Sequence, residues 1–307
     1  MKTIIDESGV AAMFFDLSII VLVKNGGERL KLLMESLEKQ SFSGNFEVIA
    51  IDSGSEDESI QILEKYNTKI YEIKPEEFHH SRTRNLGAQK SDGEVLVYLT
   101  QDALPINNDL LEKLVKPLKD PDVAVSYGRQ IANPESDDVN TFFYSYFYPD
   151  ERKVLGKTVA NNPKKFYIDH IYVSDVCSAI KKDVWKKLRF TDDVPMSEDK
   201  DFALKVLKTG YKIVYEPEAT VYHSHDYSLC SLFKRRFQDG SAFSNIALEG
   251  ESGFFGRGFK FVTEEMKFLI RKKKILGIPY ALLYNFIHFL GFFLGKYEKY
   301  MPGFIKN

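Results

Sequence analysis

The sequence predicts an α/β protein, a mostly parallel β-sheet flanked by helices. Three observations carry that class. Short, β-branched, nearly continuous apolar runs recur at 17–23, 46–51 and 94–99, as in strands buried on both faces. Between the first two runs, Leu30, Leu33, Met34 and Leu37 recur at helical spacing. The alternation of the two patterns is that of parallel strands joined by right-handed crossovers.

The elements follow in order. Residues 1–16 are a weakly patterned leader, without the basic and apolar regions of a secretory signal. Asn25-Gly26-Gly27 ends the first strand and precedes the first helix. The second strand ends at Asp52-Ser53-Gly54-Ser55, and Ile60, Leu63 and Glu64 begin a second helix. Lys69-Ile70-Tyr71-Glu72-Ile73 is a third short strand, 81–91 is helical, and 94–99 is a fourth strand. The aromatic run 141–148 reads as a helix or a lid segment within an irregular stretch. A helix over 199–209 and a strand from Lys212 to Tyr215 follow. Ligands of such sheets bind beyond the carboxyl ends of the strands, which marks Lys24-Asn25, Asp52-Ser53 and Thr100-Gln101-Asp102.

With 42 Lys plus Arg against 44 Asp plus Glu, the net charge of -2 gives no case for nucleic-acid binding. Two cysteines, Cys177 and Cys230, build no disulfide scaffold and are read as free core thiols of a reducing cytosol.

Several polar residues admit both a chemical and a structural reading. Asp102 is a ligand for a divalent cation that holds a diphosphate, or a loop aspartate. Asp52 accepts from a nucleobase or ribose, or closes an Asx-turn. Glu198-Asp199 supplies a general base, or places acid at a helix N-terminus. His223 and His225, on one face of an extended segment, complete a metal shell or are polar edge residues. Arg82 and Arg84 grip a diphosphate or line a solvated helix face. No G-x-G-x-x-G follows the first strand, which disfavours a dinucleotide cofactor.

Taken in order, these pieces resemble glycosyltransferase family 2 over about residues 17–240. The resemblance rests on Phe78-His79-His80-Ser81-Arg82-Thr83-Arg84-Asn85-Leu86-Gly87 and Tyr98-Leu99-Thr100-Gln101-Asp102-Ala103-Leu104-Pro105. It continues in Tyr127-Gly128-Arg129-Gln130, Ser197-Glu198-Asp199-Lys200-Asp201 and His223-Ser224-His225. The nearest likeness is to bacterial rhamnosyltransferases of cell-surface polysaccharide synthesis. The resemblance implies a GT-A (Rossmann-like) fold and a metal-dependent inverting hexosyltransferase. Asp52 matches the nucleobase contact, and Thr100-Gln101-Asp102 occupies the D-x-D position with Thr100 replacing its first aspartate. Arg84 matches a donor-site arginine. With Lys24 at the sheet edge, the implied donor-binding set is Lys24, Asp52, Arg84, Thr100, Gln101 and Asp102. Asp102 and His223 match metal positions for Mg²⁺ or Mn²⁺, and Asp199 matches the catalytic base. The implied partners are dTDP-rhamnose and a lipid-linked saccharide acceptor.

Two other functions stay open on the sequence. A nucleotidyltransferase would want a glycine-rich basic loop after the first strand, for which Lys24-Asn25-Gly26-Gly27 is a weak substitute. A non-catalytic nucleotide-sugar-binding assembly protein would not need Asp199.

The domain reading is a leader at 1–16, the glycosyltransferase domain at 17–230 and a basic, aromatic helical region at 231–307. Residues 275–295 approach the length of a membrane span but are interrupted by Pro279, Asn285 and His288 and preceded by Arg271-Lys272-Lys273-Lys274. That pattern predicts helices in the headgroup layer of an anionic membrane, on its cytoplasmic face. A packed oligomerisation helix and a transmembrane helix are the alternatives, and a homo-oligomer stays open.

Overall fold

The computed structural model describes residues 4–5, 11–12, 16–162, 166, 173–192, 197–246 and 254–298. Parts of the leader and of the 231–307 region lie outside the described residues. In the leader, Ile4–Ile5 pairs antiparallel with Ala11–Ala12.

The first strand, β1 (Leu17–Val23), buries every side chain but Leu22. Helix α1 (Gly27–Glu38) buries Leu30, Leu33, Met34 and Leu37, the residues of its helical repeat. Then come β2 (Phe46–Asp52), α2 (Ser59–Glu64), β3 (Lys69–Glu72), α3 (His80–Lys90) and β4 (Val95–Thr100). After them follow β5 (Leu104–Pro105), α4 (Leu110–Val115), β6 (Val123–Ile131), α5 (Asp138–Phe147) and β7 (Lys153–Leu155). The remaining elements are β8 (Cys177–Lys181), α6 (Lys182–Leu188), α7 (Glu198–Lys208), β9 (Lys212–Tyr222), α8 (Leu229–Ile246), α9 (Phe254–Arg271) and α10 (Ile278–Lys296).

The main sheet runs in the order β3-β2-β1-β4-β8-β6-β9-β5, with β7 paired to β9. Strands β3, β2, β1 and β4 are parallel, as the alternation predicts. Beyond them the sheet is mixed. Strand β8 runs antiparallel to both β4 and β6, while β6 and β9 are parallel. The reversal has a functional consequence. The chain enters β8 at the edge where β4 ends, and the Thr100 N–H bonds the Val176 carbonyl at 3.1 Å. Asp175 therefore joins the row of strand ends.

The chain divides into two compact units, Met1–Ile131 with Tyr148–His223, and Ala132–Phe147 with Ser224–Asn307. The first holds the sheet and one large apolar core around Ile19, Val21, Leu33, Ala50, Val97, Leu111 and Ala179. Cys177 belongs to that core, but Cys230 is exposed, which corrects the reading of two core thiols.

The second unit is helical. Phe261 of α9 sits among Phe142, Tyr146 and Phe147 of α5, with ring centroids 5.1–5.3 Å apart. Helices α8 and α10 approach closely because a Cβ at Gly291 or Gly295 would meet the carbonyls of Phe233 and Phe237. Of the aromatic run 141–148, residues 141–147 are helical and Tyr148 lies just past the helix end.

Candidate active site

Of the site residues singled out from the sequence, all but His225 lie in the first unit. The parallel register sets Val23 beside Asp52 and Leu22 beside Thr100, so the loops after β1, β2 and β4 share one edge. Side chains stitch these loops together. The Gln101 amide accepts from the Lys24 N–H and donates to the Lys24 carbonyl, both at 3.0 Å. The Lys24 ammonium donates to the carbonyls of Ser53, at 3.2 Å, and Gly54. The Asp52 carboxylate, 1% exposed, accepts the Gly54 and Ser55 N–H groups at 2.8 and 2.9 Å and the Ser55 hydroxyl. Asp52 therefore closes an Asx-turn. Thr100 differs: its buried hydroxyl has no hydrogen-bond partner among the described residues.

The stitching decides against a phosphate cradle after β1. The N–H groups of Lys24, Asn25, Gly26 and Gly27 go to Gln101, Ser55, Ser59 and Asp57 in turn. A P-loop-like cradle needs such N–H groups aimed at the ligand.

Asp102 and His223 face each other, with Oδ1 and Nε2 3.7 Å apart and both side chains mostly buried. Gln130 sets the imidazole. Its Nε2 donates to the Tyr148 hydroxyl at 2.9 Å, so its Oε1 accepts from His223 Nδ1, also at 2.9 Å. That hydrogen bond puts the ring proton on Nδ1 and turns the lone pair of Nε2 toward the carboxylate. Two electron-rich atoms facing at this distance are a donor set that fits a divalent cation. Arg29, which the sequence reading missed, reaches to 3.7 Å from the other Asp102 oxygen. His225 is exposed and belongs to the second unit, its ring 5.8 Å from that of Tyr227.

Arg84 is placed differently from a surface diphosphate contact. Its guanidinium is ion-paired to Glu198, and its Nε lies 3.6 Å from Asp175 Oδ2. Burial pushes the Asp175 carboxyl up to about 7, against the pull of Arg84. Burial also raises the Glu198 carboxyl, again opposed by Arg84. Asp199, the next residue, is half-buried, and its Oδ1 accepts the Lys200 N–H at 2.8 Å. Asp175 was invisible in the sequence because nothing there announces an antiparallel strand at Cys177.

A sheet-edge site built by these motifs has known counterparts. The model of "Glycosyl transferase family 2" matches residues 18–189. The chain is 32% identical over 291 residues to the O-antigen chain rhamnosyltransferase RfbN of Salmonella typhimurium, covering 93% of this chain and 91% of that protein.

This chain belongs to glycosyltransferase family 2.

It is equally 32% identical, over 290 residues, to the O-antigen chain rhamnosyltransferase WbaN of Salmonella anatum, covering 93% of this chain and 90% of that one. Among solved structures, the mannosyltransferase PcManGT from Pyrobaculum calidifontis, in complex with GDP-Man and Mn²⁺, aligns with TM-score 0.56 at 17% identity. That match covers 89% of this chain and 74% of the other. S. aureus TarS 1-349 in complex with UDP aligns with TM-score 0.53 at 14% identity, covering 94% and 93%. These likenesses give the GT-A fold. Family and relatives make the chain a nucleotide-sugar-dependent glycosyltransferase of the hexosyltransferase class. The nucleotidyltransferase and the non-catalytic readings fall away.

Proposed function

We propose that the chain transfers rhamnose from dTDP-rhamnose to a hydroxyl of a lipid-linked glycan in cell-surface polysaccharide synthesis. The observation that carries this reading is the 32% identity to two O-antigen chain rhamnosyltransferases across 93% of the chain. Residues 17–230 do the chemistry, and residues 231–307 hold the chain at the inner face of the cell membrane.

The reaction is a single displacement with inversion. The acceptor oxygen attacks the anomeric carbon, the bond to the nucleoside diphosphate breaks, and Asp199 takes the acceptor's proton. Asp102 and His223 hold Mg²⁺ or Mn²⁺, which when bound offsets charge on the departing diphosphate. The buried Thr100 hydroxyl, unpaired among the described residues, meets a donor hydroxyl where the family's first D-x-D aspartate would stand. Asp52 and Lys24 shape the nucleoside end mainly by holding their loop. Gln101 contributes by tying that loop to β4.

The test is donor turnover. Purified chain is incubated with a panel of nucleotide sugars and a membrane-lipid extract, with Mn²⁺, Mg²⁺ or EDTA, and released nucleoside diphosphate is measured. Release strongest from dTDP-rhamnose and lost in EDTA is the expected result. Release strongest from another donor replaces the sugar assignment. Asp199→Asn lowers transfer about 10²–10⁴-fold while leaving donor binding intact. Unchanged transfer removes Asp199 from its role.

A further inference from the structure

Three buried charged side chains meet beside the proposed base, each from a different part of the chain. Arg84 comes from α3, Glu198 from the first turn of α7, and Asp175 from the segment entering β8; they are 8%, 5% and 4% exposed. The Arg84 Nη1 bonds Glu198, and its Nε faces Asp175, whose other oxygen accepts the Ser178 hydroxyl at 2.7 Å. The Arg84 carbonyl is held as well, by the Tyr98 hydroxyl at 3.4 Å. A buried guanidinium hydrogen-bonded to one carboxylate and 3.6 Å from a second is already paired with carboxylates, unlike an open fork that grips a diphosphate. A diphosphate would have to displace Glu198 and leave that carboxylate buried without its counter-ion.

The neighbouring residue works toward the same end. The Asn85 amide donates to the Phe190 carbonyl at 2.9 Å and to Asp192 at 3.1 Å. Its oxygen accepts from the Trp185 indole at 3.0 Å and the Phe190 N–H at 3.2 Å. Thr191, in that same segment, donates to Asp201 of α7 at 2.6 Å. Gly87 lets α3 lie against β1, since a Cβ there would collide with Ile20. Thus Asn85 fixes residues 185–192 and Arg84 fixes Glu198, both from one helix seated on the sheet. Between the two, Ser197 is held at φ 66°, a left-handed conformation that costs an L-residue energy and persists only where its surroundings impose it.

We propose that Arg84 is a positioning residue. Through Glu198 it sets the first turn of α7, and so the Asp199 carboxylate, rather than contacting the donor diphosphate. This rests on the reading of Asp199 as the base. Glu198 and Asp199 are adjacent in one helical turn and cannot move independently. Without Arg84, Glu198 and Asp175 lose their shared counter-ion in a dry site, and the turn shifts. A displacement of about 1 Å at a reacting group costs about 10²-fold in rate.

The experiment compares Glu198→Gln, Arg84→Met, Arg84→Lys and the Glu198→Gln/Arg84→Met double variant in the full chain. It measures kcat, donor KM and dTDP affinity by calorimetry with Mn²⁺ present, after thermal unfolding confirms a folded chain. Glu198→Gln and Arg84→Met are each expected to lower kcat about 10²-fold with dTDP affinity within about twofold of the natural chain. The double variant is expected to be no slower than the slower single one, because the two side chains act as one unit. Arg84→Lys, which keeps the charge, recovers part of the rate. Loss of dTDP affinity about tenfold or more in Arg84→Met, with kcat retained at saturating donor, overturns the proposal in favour of a diphosphate contact. Glu198→Gln is nearly isosteric and decides the matter alone if Arg84→Met does not fold: full kcat in that variant overturns the proposal. Asp199→Asn separates the two readings. If it is inactive while Glu198→Gln is fully active, only the positioning role fails; if it is active, the base reading fails and takes this proposal with it.

Discussion

On its Nδ1 side the His223 ring is oriented by neutral groups, the Tyr148 hydroxyl and then the Gln130 amide. Such outer partners fix the tautomer of a metal-ligating histidine, and their loss typically costs about 10–100-fold in metal affinity. Gln130→Leu is therefore expected to raise the Mn²⁺ concentration needed for half-maximal turnover by about 10–100-fold, with turnover recovering at high Mn²⁺. A variant with an unchanged Mn²⁺ requirement would show that His223 does not hold the ion. Asp102 and His223 were legible as metal candidates because each follows a strand. The part played by Gln130 was not. It sits 93 residues from His223, and only pairing of β6 with β9 brings the two together. Arg84 shows the converse. Its residue type pointed at a diphosphate, and only the tertiary structure shows it buried and ion-paired with Glu198, beside Asp175.

Helix α9 carries a buried carboxyl that the proposed chemistry does not use. Glu265 is fully buried, one oxygen accepts from Asn285 of α10, and the other has no partner among the described residues. Burial pushes its carboxyl up to about 7, against the pull of Asn285. The folded chain thus keeps a proton that the unfolded chain releases near 4.5, the ordinary value. This group's contribution to stability is complete below that value, declines as pH rises, and is gone above about 7. Glu265→Gln, which carries no titrating proton, is expected to unfold a few degrees higher than the natural chain at pH 8 and at about the same temperature at pH 5. An equal change at both pH values would mean that Glu265 is already ionised. Among the elements, β1, β2, β4 and α1 were readable, because burial on both faces or on one stripe writes itself into residue spacing. Strands β6 and β8 and helices α4 and α6 were not: β8, α4 and α6 are short, and the strands that pair with β6 and β8 lie far along the chain.

The second unit bears on where the whole chain works. Ile275–Lys296 is long and apolar enough to cross a membrane, yet one side of it is packed inside the unit. Ala281, Tyr284, Gly291 and Gly295 are buried, while Leu282, Leu283, Phe286 and Phe293 are exposed. Ile275 and Leu276, both exposed, follow directly on Arg271-Lys272-Lys273-Lys274. Crossing a bilayer would carry the neighbouring α9, with Glu264 and Lys267, toward the hydrocarbon. Each charge there costs about 2.5–3.5 kcal/mol on insertion scales. An in-plane seat instead puts the aromatic side among acyl chains and the basic cluster among anionic headgroups. Phe286→Glu/Phe293→Glu is expected to abolish flotation with phosphatidylglycerol-containing vesicles while leaving transfer to a soluble acceptor analogue intact. Binding to these vesicles should weaken with salt, and binding indifferent to salt and extracted only by detergent would favour a spanning helix.

The residues alone determined the α/β class, the strand ends that build the site and the family, since these follow from spacing and from motifs in order along the chain. Asp52, Asp102, Asp199 and His223 were all named from that order. Only the tertiary structure decided the antiparallel β8, the turn closed by Asp52, the orientation of His223 by Gln130 and the engagement of Arg84 by Glu198. The physical reason is common to these four. Each depends on which polar groups face one another in space, and hydrogen bonds and ion pairs between distant segments leave no period in the sequence.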